Sequence, residues 1–385
     1  MTSNTMISIQ AKNRRAYLSH LPVQALSLAM VVLCLVLIVR LVCHPRVKLV
    51  FVQVQDESNI DRLMNVITDQ REKIRELSQN FKALQHCSQD MPALKYPKHA
   101  SDDLTGVLIG TNDSCGNTSS LDAVILVHSA ASHFSRRDRY RSAYCDSSSP
   151  HKLKVVFLIG HVRDANLQIN LEIENRKHGD TLIGTFMDTY QNLTLKAVMG
   201  YRWAAEHCKG AKMIIKMDDD VFFNVEKFFN SFWYKHQQRN PRGQRRSIFC
   251  NVWENAKVGR TGKWKVGKDL YANNTYYFPY CAGFFIIITT DLLTPMYQAA
   301  KTIDFFWIDD VFMYGMVPDA LGGIRFWQIG LKSRQITETY KNYKKCKEKD
   351  KLSGCSYWAV LTDGDKLFDS EQNELKKYKK SLKPV

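Results

Sequence analysis

The chain has 385 residues, of which 45% are hydrophobic and 24% are charged, proportions that are typical of a globular protein with one large or two modest domains. Its formal net charge of +16 favours an anionic partner, which could be nucleic acid, an acidic membrane surface or a charged substrate. We expect no nucleic acid partner, because neither a zinc-finger spacing nor an RNA-binding signature accompanies the basic clusters.

The first predicted element is a membrane anchor at residues 21–42, preceded by a cytosolic tail at residues 1–20. Leu21 to Val39 is nearly continuous apolar sequence and is long enough to cross a bilayer as a helix. A cleavable signal peptide is the alternative, but it has a shorter apolar core and a small-residue cleavage site, which residues 43–46 do not offer. We therefore expect an uncleaved signal anchor.

The charges that flank this segment leave its orientation open, because lysines and arginines stand on both sides. Eight of the ten cysteines lie from residue 87 onward, and an even set of this kind fits disulfides in an oxidising lumen, although their pairing stays open. Four N-glycosylation sequons also follow the segment, at Asn112, Asn117, Asn192 and Asn273. Together these features predict a single-pass type II protein whose main part is lumenal.

Residues 43–117 are expected to form a stem. Apolar residues recur at the a and d positions of a heptad pattern across residues 60–84, with Gln70 as the polar exception. A dimerising coiled coil and a single amphipathic helix docked on the main domain explain this pattern equally well. The polar stretch between Cys87 and Asn117 then predicts a linker and a domain boundary.

The main domain is predicted at residues 118–345, where short apolar runs alternate with helical patterns. This alternation predicts βαβ units and a mainly parallel sheet with helices on both faces. A lysine-rich extension at residues 346–385 follows, and we expect Cys346 and Cys355 to form a disulfide there and the end to be an exposed basic tail. The predicted strands lie at residues 121–127, 153–160, 182–186, 212–217 and 284–289.

The strand at residues 212–217 ends in three carboxylates, Asp218, Asp219 and Asp220. Adjacent carboxylates repel one another and need a compensating cation, and ligands bind at the carboxyl ends of strands in α/β sheets. Because Mg²⁺ and Mn²⁺ take oxygen ligands and bridge to phosphate, the triplet predicts a metal–diphosphate site. The alternative is a solvated acidic turn in which Asp220 or Asn224 caps the next helix.

A second acidic feature, Asp309-Asp310, lies within the apolar and aromatic run at residues 305–312. Buried acids are costly, so they usually have a partner or a chemical role. One of the two could act as a general base that removes a proton from a sugar hydroxyl. The alternative is a helix cap for the residues from Val311 onward.

Two further stretches could contact a ligand. An arginine-rich helix at residues 136–144 directly follows the first strand and suits an anionic nucleotide, or else forms a solvated basic face. The aromatic loop at residues 276–283 could stack on a base or a sugar, or could be a core corner fixed by a disulfide through Cys281.

Four ordered motifs resemble those of the β1,3-galactosyltransferase and β1,3-N-acetylglucosaminyltransferase family (glycosyltransferase family 31). They are Asp188-Thr-Tyr-Gln-Asn-Leu-Thr-Leu-Lys196, Lys216-Met-Asp-Asp-Asp-Val-Phe222, Tyr280-Cys-Ala-Gly283 and Ile308-Asp-Asp-Val-Phe312. The resemblance extends over about residues 121–321. The chain departs from the family pattern at Tyr144 and across residues 282–285, and the second departure is expected to reshape the donor or acceptor pocket.

The resemblance implies a GT-A fold, an α/β nucleotide-binding fold with helices on both faces of a mixed sheet. It also implies a UDP-sugar donor and Mn²⁺ or Mg²⁺ held by Asp218 and Asp220. The base would come from the pair Asp309 and Asp310, with Asp310 favoured. The implied donor-binding residues are Arg137, Arg141, Glu174, Asp218 and Asp219.

The implied reaction is the inverting transfer of a hexose, most simply galactose, to a glycan hydroxyl in a β1,3 linkage. The acceptor would be a glycoprotein or glycolipid at the Golgi membrane, and the stem could form a homodimer. Transfer of N-acetylglucosamine or N-acetylgalactosamine is an alternative. Two further alternatives come from other classes of protein. One is a catalytically silent relative that binds glycans, and the other is a membrane-anchored protein that binds an anionic polymer.

Overall fold

In a computed structural model of the chain, the residues described are 97–381, with gaps at 112–120, 146–148, 241–244, 272–273, 331–332 and 363, together with Thr68 and Glu72. Residues from 97 onward belong to one compact unit, Gln89–Val385. No helix among the described residues is long and apolar enough to cross a membrane. The predicted tail and anchor lie outside these residues, and so does the predicted coiled coil apart from Thr68 and Glu72, which are helical.

The described part of this unit is built on a mixed sheet of eight strands in the order β1-β4-β3-β2-β5-β10-β7-β11. A three-stranded sheet, β12-β13-β6, and a two-stranded sheet, β8-β9, accompany it. The strands are β1 (Val107–Ile109), β2 (Ala123–His128), β3 (Leu153–His161), β4 (Thr181–Met187), β5 (Met213–Asp218), β6 (Val221–Phe223), β7 (Ser247–Cys250), β8 (Val252–Trp253), β9 (Tyr280–Cys281), β10 (Phe285–Thr289), β11 (Arg325–Gln328), β12 (Ile336–Thr337) and β13 (Ala359–Leu361).

Strands β4, β3, β2 and β5 run parallel, whereas β10 runs antiparallel to β5. Strand β2 is buried along its whole length, as expected of a parallel strand covered on both faces. Because β3 lies on one side of β2 and β5 on the other, the strand order reverses between β2 and β5. Ligands bind at such switch points, outside the carboxyl ends of the strands, and here those ends are His128 and its register partner Asp218.

Helices cover both faces of the sheet, which confirms the predicted α/β architecture. Helices α3, α5 and α6 contribute to one hydrophobic core, and α1, α2, α4, α7 and α8 contribute to the other. The helices are α1 (Phe134–Tyr144), α2 (Ala165–His178), α3 (Leu193–His207), α4 (residues 225–239), α5 (Leu293–Ala300), α6 (residues 309–321), α7 (Tyr340–Gly354) and α8 (Asp365–Ser381). Successive side chains of β2 point to opposite faces of the sheet and so contribute to both cores. Val124 and Leu126 lie in the first core, and Ile125 and Val127 lie in the second.

The compact unit extends past both predicted domain boundaries, residues 118 and 345. At the front, β1 pairs with β4, and the amide of Phe305 donates to the carbonyl of Lys98 at 2.8 Å. At the end, α8 buries Phe368 and Leu375 in the second core. The apolar residues of α8 recur at helical spacing and form a buried stripe, while the terminal lysines Lys376 and Lys377 on the same helix are exposed.

Two disulfides join described cysteines. The expected bond between Cys346 and Cys355 is present and links the helix α7 to the residue just after it. Cys281 pairs with Cys250 at the end of β7, so the aromatic loop at residues 276–283 is indeed anchored by a disulfide. Cys145 is free.

Candidate functional site

A cavity of about 980 Å³ opens at the carboxyl ends of β2 and β5. Its walls include both acidic features of the sequence, although they lie far apart in the chain. The triplet Asp218–Asp220 lies at the end of β5, and the pair Asp309–Asp310 lies in the first turn of α6. The acids concerned are Asp218, Asp219, Asp220, Asp309 and Asp310.

Lys216 holds a positive charge beside both acidic groups. Its side chain is buried, and its Nζ donates to Oδ1 of Asp218 at 2.8 Å and to the carbonyl of Gly283. Burial opposes the charged ammonium, but Asp218, Asp309 and Asp310 outweigh this effect and raise the pKa of Lys216 above its ordinary value. Lys216 is therefore a fixed cation under the floor of the cavity.

Asp219, the middle acid, is already satisfied by protein donors. Its carboxylate accepts hydrogen bonds from Ser129 Oγ at 2.7 Å, His133 Nδ1 at 2.8 Å and an Arg136 guanidinium nitrogen at 2.9 Å. Burial alone would raise the pKa of Asp219, but these hydrogen bonds outweigh it and lower the pKa. Both carboxylate oxygens of Asp219 accept hydrogen bonds from protein groups, so this residue ties the segment between β2 and α1 to the triplet.

Asp220, unlike Asp219, has a carboxylate oxygen that no donor in the described part of the chain satisfies. Its Oδ1 is buried without a hydrogen-bond partner among the described residues, and the nearest cation, Arg136, stands 3.6 Å from Oδ2. Burial raises the pKa of Asp220, and Asp218 and Asp219 raise it further, to about 6. A buried oxygen with unmet bonding capacity and surplus negative charge around it fits a ligand for a hard cation.

The described residues contain no group of three or more His, Cys, Asp or Glu side chains arranged to hold a metal ion. Mg²⁺-type sites often use one or two carboxylates and complete the shell with water and substrate phosphate. Asp218 and Asp220 together would supply the two carboxylates of such a site.

The two acids of the second pair differ in exposure. Asp309 is buried, with its Oδ2 3.8 Å from His128 Nδ1, whereas Asp310 is partly exposed and its Oδ2 accepts a hydrogen bond from the amide of Gly283 at 2.9 Å. Burial raises the pKa of both carboxyls, and the neighbouring Asp309 raises that of Asp310 further. Ile308 occupies the N-cap position of α6, so neither acid is there as a cap.

Three predicted donor-binding residues, Arg137, Arg141 and Glu174, do not line the cavity. Arg137 is fully buried and donates to Glu174 over 2.8 to 3.0 Å, while Arg141 donates to Glu174 at 2.9 Å and to Asp180 at 2.7 Å. The structure places them behind the cavity wall, and their implied role in donor binding stays a prediction. Residues four apart share a helix face, and that face of α1 points into the protein, whereas Arg136, one position earlier, reaches the cavity.

A buried ion pair that sequence reasoning left without a role shapes the cavity wall. Lys196 Nζ lies 2.6 Å from Asp188 Oδ1 and donates to the carbonyl of Ser129 at 2.8 Å. The other carboxylate oxygen of Asp188 accepts from the amide of Ala131 at 2.8 Å. The pair therefore fixes residues 129–131 against the triplet. Its signal in the sequence is a lysine on an otherwise apolar stretch of α3, directly after Leu195.

The segment after β13 also holds the triplet in place. Both the amide and the hydroxyl of Thr362 donate to the carbonyl of Asp220, at 2.9 and 2.6 Å. Asp365, the first residue of α8, accepts from Arg136 Nε at 2.9 Å. The region predicted as a basic C-terminal extension is thus part of the support for the site.

Another part of the lining is a group of exposed rings and amines, which we name the aromatic–lysine rim: Tyr190, Trp253, Lys257, Lys263 and Trp264. The three rings are 41%, 43% and 55% exposed, in that order. Trp264 Nε1 donates to the hydroxyl of Tyr190 at 2.7 Å, and Lys263 Nζ stands 4.5 Å from the centre of the Tyr190 ring. The sequence alone predicted a role for none of the five, although Tyr190 lies within the first of the four family motifs.

Of the four predicted glycosylation sites, only Asn192 lies among the described residues. Its Nδ2 donates to the carbonyl of Met187 at 2.9 Å. Thr194, the hydroxyl residue of the sequon, is buried and donates to the carbonyl of Phe306 at 2.8 Å. Both side chains are thus hydrogen-bonded in the folded chain, and glycosylation at Asn192 stays a prediction. Asn112, Asn117 and Asn273 lie outside the described residues.

The fold and cavity define an α/β protein with an acidic ligand site at the switch point of its sheet. Residues 135–325 match the galactosyltransferase family model. The chain is 28% identical to beta-1,3-galactosyltransferase 1 of Mus musculus over 215 residues, which cover 54% of this chain and 64% of that protein. It is also 28% identical to a Xenopus tropicalis lactosylceramide 1,3-N-acetyl-beta-D-glucosaminyltransferase over 235 residues, 56% of this chain and 58% of that one.

The chain belongs to the galactosyltransferase family. The aligned part spans less than two thirds of the length of each of these relatives. Among solved structures, mouse xyloside xylosyltransferase 1 overlaps with 63% of this chain and 98% of its own, at 9% identity and a TM-score of 0.30. An overlap that weak supports no inference about this chain.

Proposed function

We propose that this chain is an inverting, metal-dependent glycosyltransferase that transfers a hexose, most simply galactose, from a UDP-sugar to a glycan hydroxyl in a β1,3 linkage. One observation carries the proposal: the triplet and the pair Asp309–Asp310 line a single cavity. A transferase of this kind needs a place for the departing diphosphate and, beside it, a base for the incoming hydroxyl. Membership of the galactosyltransferase family supports sugar transfer as the reaction.

The diphosphate of the donor would lie against the triplet. Asp218 and Asp220 would hold Mn²⁺ or Mg²⁺ together with diphosphate oxygens. When bound, such an ion offsets the negative charge that builds on the departing UDP. Within the chain, Arg136 supplies positive charge beside Asp220, and Lys216 supplies it beside Asp218. Asp219 would act indirectly, by holding Arg136 and His133 in place.

Asp310 would be the base, since it is the more exposed acid of the pair and its raised pKa makes it a stronger proton acceptor. The amide of Gly283 orients its carboxylate. Inversion requires only one displacement at the anomeric carbon, so one base suffices and no covalent intermediate forms. The buried Asp309 would orient the turn and interact with His128.

The donor could instead carry N-acetylglucosamine, as the name of the frog relative indicates for that protein, or N-acetylgalactosamine. A silent glycan-binding relative remains the alternative of a different class. We further propose a GT-A classification, a type II Golgi membrane location and an acceptor on a glycoprotein or glycolipid, with a homodimer through the stem. These extensions rest on the sequence patterns and on family membership.

The test is a transfer assay with the purified full-length chain, a panel of UDP-sugars, and arms with Mn²⁺ or with EDTA. We expect transfer from one donor, loss of transfer in EDTA, and losses of at least about 100-fold in Asp220→Asn and Asp310→Asn. Asp304→Asn, an exposed acid that does not line the cavity, is the matched control and should retain activity. Transfer that persists in EDTA or in both site variants would contradict the mechanism.

A further inference from the structure

The aromatic–lysine rim presents apolar ring surface to the cavity. Trp253 and Trp264 are each more than two fifths exposed, which is unusual for tryptophan in a folded domain unless the ring meets a ligand or partner. Lys263 Nζ lies 5.4 Å from the ring centre of Trp264 and so keeps a positive charge beside this surface. Exposed rings that line a cavity suit ligands with flat apolar faces, such as pyranose sugars.

The loop that carries most of the rim is basic. Residues 253–269 contain five basic and two acidic residues, a net charge of +3. Arg260 is committed to the loop itself, since it donates to the carbonyls of Gly267, Leu270 and Tyr271. Lys257 and Lys263 line the cavity instead, and neither forms an ion pair with any described residue. Two amines in the wall therefore have no acidic partner in the described chain.

The rim adjoins the proposed base. The ring of Tyr190 stands 6.2 Å from that of Trp307, two residues before Asp309. Burial raises the pKa of Tyr190, and Asp309, Asp310 and Asp218 raise it further, so the tyrosine lies within electrostatic reach of both acidic groups. The rim and Asp310 line the same cavity, so a sugar held by the rim would lie in the cavity that contains the proposed base.

We propose that the aromatic–lysine rim is an acceptor subsite for an acidic glycan. Sugar rings would lie on Trp253 and Trp264, and a carboxylate or sulfate group of the glycan would lie beside Lys257 and Lys263. The assignment of this ligand as the acceptor rests on the proposed transferase function. The binding of an acidic glycan is independent of that function, because the charge and the exposed rings are present whether or not transfer occurs.

The test measures binding without a donor. The purified full-length chain is titrated by calorimetry with oligosaccharides of equal length that are neutral, carboxylated or sulfated, at low and high salt. We expect the acidic ligands to bind more tightly than the neutral one, and added salt to reduce this preference. The carboxylated and sulfated arms show which anion the lysines prefer.

Variants assign the effect to the rim. Lys263→Gln should weaken binding of the acidic ligand about threefold, as expected for the loss of one exposed ion pair. Lys263→Arg should retain it. Lys268→Gln removes the same charge from the same loop outside the cavity lining and is the matched control. Trp264→Ala should weaken acidic and neutral ligands alike, by about fivefold.

Binding of UDP with Mn²⁺, measured in parallel, separates this inference from the proposed function. Equal affinity for neutral and acidic ligands would overturn the subsite, and so would equal effects of Lys263→Gln and Lys268→Gln. A loss of UDP affinity in Lys263→Gln, with glycan affinity unchanged, would overturn it as well and assign the lysine to the donor. Selective binding of acidic glycan by a chain that transfers no sugar would support the subsite and refute the transferase.

Discussion

The amide of Gly283 donates to Oδ2 of Asp310 at 2.9 Å, and a Cβ atom at residue 283 would stand only 1.8 Å from the other carboxylate oxygen of Asp310. The approach is close enough that no residue with a side chain can occupy position 283 unless the carboxylate moves. The carbonyl of the same glycine accepts from Lys216. One backbone position thus aligns the proposed base with the buried cation.

Gly283→Ala should therefore reduce transfer more than it reduces stability. The added methyl group must displace Asp310, and a displacement of about 1 Å at a reacting group can cost about 100-fold in rate. We would measure kcat and thermal unfolding together. Gly110→Ala is the control, because the new Cβ atom there meets its nearest neighbour at an ordinary 3.9 Å. Unchanged kcat in Gly283→Ala would remove Asp310 from the mechanism.

Cation binding should depend on pH through Asp220. In the metal-free chain the pKa of Asp220 is raised to about 6, so its carboxyl is largely ionised at pH 7.5 and largely protonated at pH 5. A cation must displace that proton at low pH, which predicts affinity for Mn²⁺ about tenfold lower at pH 5 than at pH 7.5.

Calorimetry in two buffers with different ionisation enthalpies tests this directly. Binding of Mn²⁺ without UDP, whose terminal phosphate also titrates at about pH 6, should release close to one proton from the protein at pH 5 and almost none at pH 7.5. Asp304→Asn, which leaves the triplet intact, should give the same proton counts. Equal proton release at the two pH values would mean that Asp220 does not hold the ion.

The buried pair Arg137–Glu174 should matter for stability and not for donor binding. Arg137→Met leaves Glu174 with Arg141 as its remaining cation, and the loss of one partner of a buried pair costs about 3 kcal/mol or more. The double variant Arg137→Met/Glu174→Met should lose less than the sum of the two single changes, since neither charge is then left unpaired.

Urea unfolding gives these free energies, and UDP binding measured on the folded variants tests the role in the donor site. We expect donor affinity within about twofold of the parent chain, because neither side chain lines the cavity. A large loss of UDP affinity with stability intact would instead support the donor-binding role that the family resemblance implies.

The comparison of Arg137 with Arg136 illustrates what sequence alone could predict. Local chemistry was sufficient to single out the acids as candidates, because three carboxylates end an apolar strand and Asp309-Asp310 lies within an aromatic run. The structure brings both features into one cavity, and their roles stay predictions. A run of arginines on one helix is different, because the inward face depends on how α1 packs. Only the tertiary structure distinguishes the arginine at the cavity from the one paired with Glu174.

The same limit explains the aromatic–lysine rim and the support from the C-terminal segment. Trp253 and Trp264 lie in a loop without regular periodicity, so no pattern predicts which rings remain exposed. Thr362 reaches the triplet because β13 pairs with β6, which directly follows Asp220. A pairing between strands that are distant in sequence leaves no local signal in either.

That pairing leads to the last prediction. Thr362→Val keeps the shape of the side chain but removes the hydroxyl that donates to the carbonyl of Asp220, while the backbone amide still donates. One such hydrogen bond contributes about 1 kcal/mol. Because it holds the backbone of a proposed metal ligand, the loss should appear as about threefold weaker binding of UDP with Mn²⁺ and also as a small decrease in stability. Thr302→Val removes an equivalent hydroxyl-to-carbonyl bond at the exposed end of α5 and should leave UDP affinity unchanged. Equal UDP affinities in the two variants would show that the C-terminal segment packs against the triplet without positioning it.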